Sequence, residues 1–184
     1  PRYTRLLSSA ASDVYKGQEI FCSLYEEGLF YRGYRLVNWD VSLQTAISDL
    51  EILSEEENSK IWHIAYKSKK TNKSIVVATT RPETMFGDVA IAVNPNDKKY
   101  KNLIGESFEV PFCERSIEVI GDKYVDKSFG TGCLKITPAH DFNDFEIGKK
   151  HNLPIINILN KNGLLNENVP VSYTHLTLPT KEGV

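Results

Sequence analysis

An α+β fold whose larger part is a barrel-like sheet is predicted by three observations. From Lys60 onward, short apolar runs of strand period recur as "IWHIAYK", "SIVVATT", "VAIAVN", "SFEVPF", "SIEVIG" and "GCLKIT", each bounded by Gly, Pro, Asn or a charged cluster. Two stretches of helical period interrupt them, one amphipathic around "DKKYKNLIG" and one around "DFNDFEIGKKHN". Finally, 184 residues of which 41% are hydrophobic and 25% charged suffice for one ordinary globular domain with a fragment of another.

Taken in order, the elements begin with a stretch unlike its neighbours. Residues 1–17, "PRYTRLLSSAASDVYKG", and residues 171–184, "VSYTHLTLPTKEGV", show no period that continues inward, and both read as adapter-derived scars rather than native tails. On that reading His175 carries no chemistry. "QEIFCSLYEEGLFYRG" places Ile20, Phe21, Leu24 and Tyr25 on one face of a short helix, with Gly28 suited to end it and Gly33 marking a second break. "YRLVNWD" follows as a short strand, and "LQTAISDLEI" as a turn leading into an extended stretch. The strands named above then build the sheet, and the second helix starts after the break at Pro138. The division expected is a linker-bearing segment over 18–50 and a sheet domain over 51–170.

Charge and cysteine usage exclude several classes. A net charge of -2 carries no global nucleic-acid signature, so a nucleic acid would have to be gripped locally. Cys22, Cys113 and Cys133 are odd in number and far apart, which argues against a disulfide framework and a zinc knuckle and favours a reducing, cytoplasmic setting. No apolar run approaches the roughly 20 residues of a membrane helix, and no leader pattern opens the chain, so no membrane partner is expected.

Two polar concentrations stand out. "SIVVATT" delivers Thr79, Thr80 and Arg81 to the point where Pro82 stops the strand, so these groups project from the sheet's end. "GTGCLKITPAHDFND" repeats that grammar: Lys135 and Thr137 share a strand face at a spacing of two, and Asp141 and Asp144 share a helix face at a spacing of three. Each feature has a plain rival. Asp141 at a helix start is an N-cap, Arg81 with Glu83 an ion pair, Cys133 a small core residue, and "GTG" at Gly130–Gly132 a bulge. His140-Asp141 suggests a metal site, but His63 sits in a strand pattern and His151 at a helix end, so no metal is expected. The residues by themselves support a polar pocket of mixed charge.

The segments "NWDVSLQTAISDLEI", "VVATTRPETMFGDVAIAVNPND", "YKNLIG", "YVDKSFGTGCLKITPAHDFNDFEIGKKHNLPIINIL" and "NGLLNEN" resemble the class I aminoacyl-tRNA synthetases of the valine, isoleucine and leucine group. "TTRPET" is common to the group, whereas "TAISDLEI" and "KITPAHDFND" resemble its valyl members. The resemblance spans about residues 18–169. It implies the inserted editing domain, a β-barrel-like unit preceded by a short helical piece of the catalytic domain and cut short after "NGLLNEN". It also implies an aminoacyl-tRNA deacylase that removes threonine from valine tRNA, with the 3' end of that tRNA as partner, and a monomer. No cofactor is implied for this domain; ATP would serve only the full-length ligase, whose nucleotide motifs are not in this chain.

The resemblance further implies roles. Thr80, Arg81, Thr84 and Asp88 would form one wall, and Phe129, Lys135, Thr137, Asp141 and Asp144 the other. Asp144 would hold the substrate's α-ammonium, Lys135 and Thr137 would read the threonine hydroxyl, and Arg81 would meet the tRNA terminus. Thr80 and Asp141 join Asp144 as catalytic candidates, with water as the attacker. The alternatives are a non-catalytic module that binds the tRNA end and an isoleucyl-type editor.

Overall fold

A computed structural model of the chain describes residues 2–169 apart from 54 and 57, with side chains from residue 14 onward, and the chain divides into two compact units after Arg35. The stretch 171–184 lies outside the described residues.

The first unit is built on α1, Arg2–Glu26. The expected short helix beginning near Gln18 is corrected: the helix runs through Gly17, because nothing in "RYTRLLSSAASDVYK" is a proline or a glycine that would stop it. It ends as expected. Gly28 adopts φ +72°, and the N–H groups of Leu29 and Phe30 both donate to the Leu24 carbonyl at 2.9 and 3.1 Å, the glycine cap that frees a helix to turn. Phe21 and Phe30 meet edge to face with centroids 4.5 Å apart.

The second unit opens on a hairpin, β1 (Asn38–Asp40) and β2 (Thr45–Ile47). Asp40 makes its turn by accepting the N–H groups of Ser42 and Leu43. Ser48 and Glu51 then form a capping box around a 3-10 turn, Asp49–Glu51, where the sequence suggested extended chain. The hairpin is pinned to a distant loop by Trp39 Nε1 donating to the Lys161 carbonyl at 2.9 Å.

The remaining strands are β3 (Trp62–Lys67), β4 (Ser74–Thr79), β5 (Ala90–Val93), β6 (Ser107–Glu109), β7 (Ser116–Gly121) and β8 (Cys133–Ile136). They form one sheet in the order β4-β3-β6-β7-β5-β8, antiparallel except for the parallel pair β5–β7. The sheet curls until its two outer strands, β4 and β8, lie beside each other without a backbone ladder among the described pairings. The result is a barrel open along one seam, as the strand spacing predicted.

β5 is buried on both faces, which is why "AIAV" shows no polar alternation. Ile91 and Val93 enter the barrel interior with Tyr66, Val77, Phe108 and Val119. Ala90 and Ala92 face the opposite way, with Ile136 and Ile147, under α2 (Phe142–Lys150). Further along that helix, Lys150 and the capping His151 both reach Asp122 Oδ2 at 2.7 Å. Burial acts to raise the Asp122 carboxyl, but the bonds from Lys150, the Tyr124 N–H and His151 prevail and hold it at about 2.

The amphipathic helix expected around "DKKYKNLIG" is corrected to a single 3-10 turn, Lys101–Leu103. Its apolar spacing is real, since Tyr100 is buried and donates its hydroxyl to the Thr131 carbonyl at 2.9 Å. The run is too short to repay helix nucleation between Pro95 and Gly105, and Gly105 at φ +85° ends it.

Gly148 shows how closely α2 sits on the strand end. A Cβ there would lie 2.7 Å from Pro138 Cγ, a ring that cannot rotate away. Gly148→Ala gains about 1 kcal/mol of helix propensity but incurs overpacking of about 1–3 kcal/mol. The expected outcome in urea unfolding is a lower midpoint; a higher one would show that α2 slides freely over Pro138.

Candidate functional site

The open seam between β4 and β8 is a cleft of about 570 Å³. Ala78, Thr79, Thr80 and Arg81 line it from the first strand, Cys133, Leu134, Lys135 and Thr137 from the other, and Asp141, Asn143 and Asp144 from the start of α2. The two polar concentrations of the sequence therefore face each other across one opening. All nine predicted site residues belong to it or lie directly beneath it.

Beneath the cleft is a closed polar network. Lys135 Nζ donates to Thr84 Oγ1 at 2.7 Å, Asp88 Oδ1 at 2.9 Å and Thr137 Oγ1 at 2.5 Å, and so uses all three of its hydrogens. Thr137 donates to Asp88 Oδ1 at 2.6 Å, and Thr84 to the Arg81 carbonyl at 2.9 Å. The other Asp88 oxygen accepts the Tyr66 hydroxyl at 2.5 Å. Asp88 is fully buried, so it supports the floor from below instead of standing in the wall where the sequence suggested it. Burial pushes its carboxyl upward against the pull of Lys135, Thr137 and Tyr66, and burial with the neighbouring Asp88 raises the Tyr66 hydroxyl.

Local structure places these groups. Pro82 starts a 3-10 turn, Pro82–Gly87, that carries Thr84 inward and hands the chain to Asp88. Gly87 is required there, since a Cβ would meet Thr137 Cγ2 at 3.0 Å and the Ile156 carbonyl at 3.2 Å. On β8, Lys135 stands opposite Ile91 and projects with it into the barrel, and Thr137 follows on the same face.

The two helix acids divide their duties. Asp141 is the N-cap of α2, its Oδ1 accepting the N–H groups of Asn143 and Asp144 at 2.8 and 3.1 Å. Asp144 is buried, and its Oδ2 accepts the Thr137 N–H at 2.8 Å. Its Oδ1 takes no hydrogen bond among the described residues. Burial pushes the Asp144 carboxyl up to about 6, with Asp141 and Asp88 adding to the rise and the Thr137 N–H and Lys135 opposing it.

At the mouth, Arg81 joins the walls. It pairs with Glu83 through Nε at 3.3 Å and donates Nη1 to the His140 carbonyl at 3.0 Å. Phe129 is 77% exposed and stands on the rim with Tyr124. Thr80 is exposed on the β4 wall.

His140 is structural: burial, then Arg81 and Lys135, bring its ring down to about 4, so near neutrality it is uncharged and Nε2 accepts the Ile158 N–H at 3.2 Å. His63 is exposed on β3. Among the described residues no three His, Cys, Asp or Glu side chains converge as a metal would need. Cys133 is a core residue whose thiol is raised by burial.

Sequence reasoning missed Tyr66 on β3 and Arg115 just before β7, whose side chains bond Asp88 and its backbone from positions distant in the chain. No local pattern marks either.

The chain's relatives are consistent. The family model described as tRNA synthetases class I (I, L, M and V) matches residues 11–141. The chain is 59% identical to the valine-tRNA ligase of Legionella pneumophila (strain Lens) over 85% of its length, and 51% identical to that of Francisella tularensis over 92%. It spans only 17% and 18% of those two proteins. A solved ternary complex of Agrobacterium radiobacter K84 agnB2 LeuRS with tRNA and LeuAMS resembles it at a TM-score of 0.47 and 17% identity, over 77% of this chain and 27% of that one.

Proposed function

For a chain that belongs to the class I tRNA synthetases, and among them to the valine-tRNA ligases, we propose that the seam cleft hydrolyses threonine wrongly esterified to valine tRNA. The observation that carries this reading is the saturated hydroxyl-and-ammonium network at the cleft floor beside a buried carboxylate with one oxygen unengaged. Such a site is built for a small ligand that carries a cation and a hydroxyl.

The need is physical. A synthetic pocket shaped for valine rejects threonine by only about 100-fold, the established figure for valyl enzymes themselves, so a second site must remove the error. In that site the α-ammonium pairs with Asp144 Oδ1. The threonine hydroxyl exchanges into the Lys135 network in place of one threonine contact and returns what it displaces. Valine displaces the same contact and returns nothing, leaving a buried donor unpaired at a cost of about 1–3 kcal/mol. Arg81 meets the terminal phosphate, and Phe129 with Tyr124 offers flat faces to the terminal base.

Water is the nucleophile, since the raised Cys133 thiol stays protonated. It adds to the acyl carbon, the bond to the ribose oxygen breaks, and that oxygen leaves with a proton. Thr80 and the free oxygen of Asp141 stand on the two walls to orient the water. The chain works in the cytoplasm on the 3' end of the tRNA and needs no metal or ATP for this step.

Single-turnover hydrolysis of threonyl-tRNA by this chain, with valyl-tRNA as control, tests the reading. Faster loss of threonine is expected; binding without turnover would favour a tRNA-end binding module, and preference for valine esters an isoleucyl-type editor. The pH dependence follows from Asp144. Its carboxyl must be ionised to hold the ammonium and titrates at about 6, so kcat/KM should fall as pH drops through about 6 and level above it. Asp144→Asn should abolish that limb.

A further inference from the structure

We propose that Arg115 is a positioning residue for this cleft, acting through the backbone of Phe86–Asp88; the inference rests on the hydrolytic reading above. Arg115 lies just before β7 and is not among the residues that line the cleft. Its Nη2 donates to two carbonyls at once, Phe86 O at 2.6 Å and Asp88 O at 3.0 Å. Among the described residues its Nε is buried without a hydrogen-bond partner, and no carboxylate forms an ion pair with it. A guanidinium whose hydrogen bonds among the described residues all run from one nitrogen to two backbone carbonyls two residues apart fixes the spacing of those carbonyls.

What it fixes is the residue between those carbonyls and the side chain that follows. Gly87 leaves no room for a side chain beside Thr137 and the Ile156 carbonyl, so the turn it occupies has little space to shift. Asp88 leaves that turn fully buried and carries Lys135 and Thr137 on one oxygen. The path from Arg115 to the cleft floor is therefore two links long: carbonyl clamp, then carboxylate. A shift of the turn moves the two groups assigned to the threonine hydroxyl, and a displacement of about 1 Å in a positioning contact costs on the order of 100-fold in rate. Binding of the tRNA end depends on other groups and is left nearly intact.

The test compares Arg115→Met and Arg115→Lys in the full chain. Circular dichroism establishes that each is folded at the assay temperature, and threonyl-tRNA hydrolysis is followed at saturating and limiting protein. Met should lower the saturated rate by about 10- to 100-fold with half-saturation changed less than about 3-fold, and Lys should recover most of the loss. The pH limb at about 6 should keep its midpoint, because Asp144 is not touched. In parallel, the side-chain NMR signals of Lys135 should move in the Met variant. A folded Met variant with the parental rate, or with a loss that only tracks its unfolded fraction, overturns the proposal. If the parental chain itself hydrolyses nothing, the hydrolytic reading fails, and the Lys135 signals alone decide whether Arg115 controls the floor: unmoved signals overturn it.

Discussion

Asp88→Ala should destabilise the chain by about 3–5 kcal/mol, the scale of removing one partner from a buried ion pair. The substitution deletes the acceptor of three side chains at a site that water does not reach, and leaves the Lys135 ammonium with two threonine hydroxyls and no directly bonded carboxylate. Asp88→Asn keeps the volume but not the charge, so it should recover little. Combining Asp88→Asn with Lys135→Met removes both charges and should recover a large part, since a neutral pair no longer holds a buried ion. Urea unfolding of the parental chain, Asp88→Asn, Lys135→Met and the double variant measures this cycle, with Asp88→Ala alongside. A loss below about 1 kcal/mol for Asp88→Ala would show that water enters the floor and that the network is not structural.

Asp144→Asn should slow threonyl-ester hydrolysis by at least about 100-fold, corresponding to a charged contact worth roughly 3 kcal/mol in the transition state. Asparagine can still accept the Thr137 N–H, so shape and the local hydrogen bond survive and only the charge is lost. The same change should raise stability. The folded carboxyl titrates at about 6 against an ordinary 3.8, so the folded form binds the proton more tightly than the unfolded chain. Stability is therefore lost as pH rises through that window, by on the order of 2–3 kcal/mol at neutral pH. Asparagine has no such loss. A variant that is more stable near pH 7 and nearly inactive identifies a functional charge; one that is fully active would remove Asp144 from the ammonium site. Asp141→Asn should cost far less, because asparagine caps a helix about as well as aspartate.

The strands were legible because their alternation reports which face meets the core, and each is bounded by residues that turn the chain. The cap at Asp141, the shared face of Lys135 and Thr137, and the Arg81–Glu83 pair were legible for the same reason: each depends on neighbours a few residues away. What was not legible depends on partners far along the chain. Tyr66 reads as one more apolar strand residue until Asp88, 22 positions later, accepts its hydroxyl. Arg115 reads as surface charge until carbonyls 29 and 27 positions earlier claim it. The turn at Lys101–Leu103 failed differently, since its period was correct and only its length could not sustain a helix.

The parallel pairing of β5 with β7 has a consequence for how the molecule assembles. β5 must wait for β7, beyond the β6 hairpin, and for β8 beyond that, before either of its edges is satisfied. Closing such loops costs chain entropy before any contact repays it, which places this sheet among slowly folding topologies. Asp88 enters with β5 and Lys135 with β8, 47 positions apart, so their ion pair forms only in the step that unites those strands. A chain arrested before that step holds both charges in water and has no cleft floor. Refolding molecules then regain the cleft floor no faster than β8 docks.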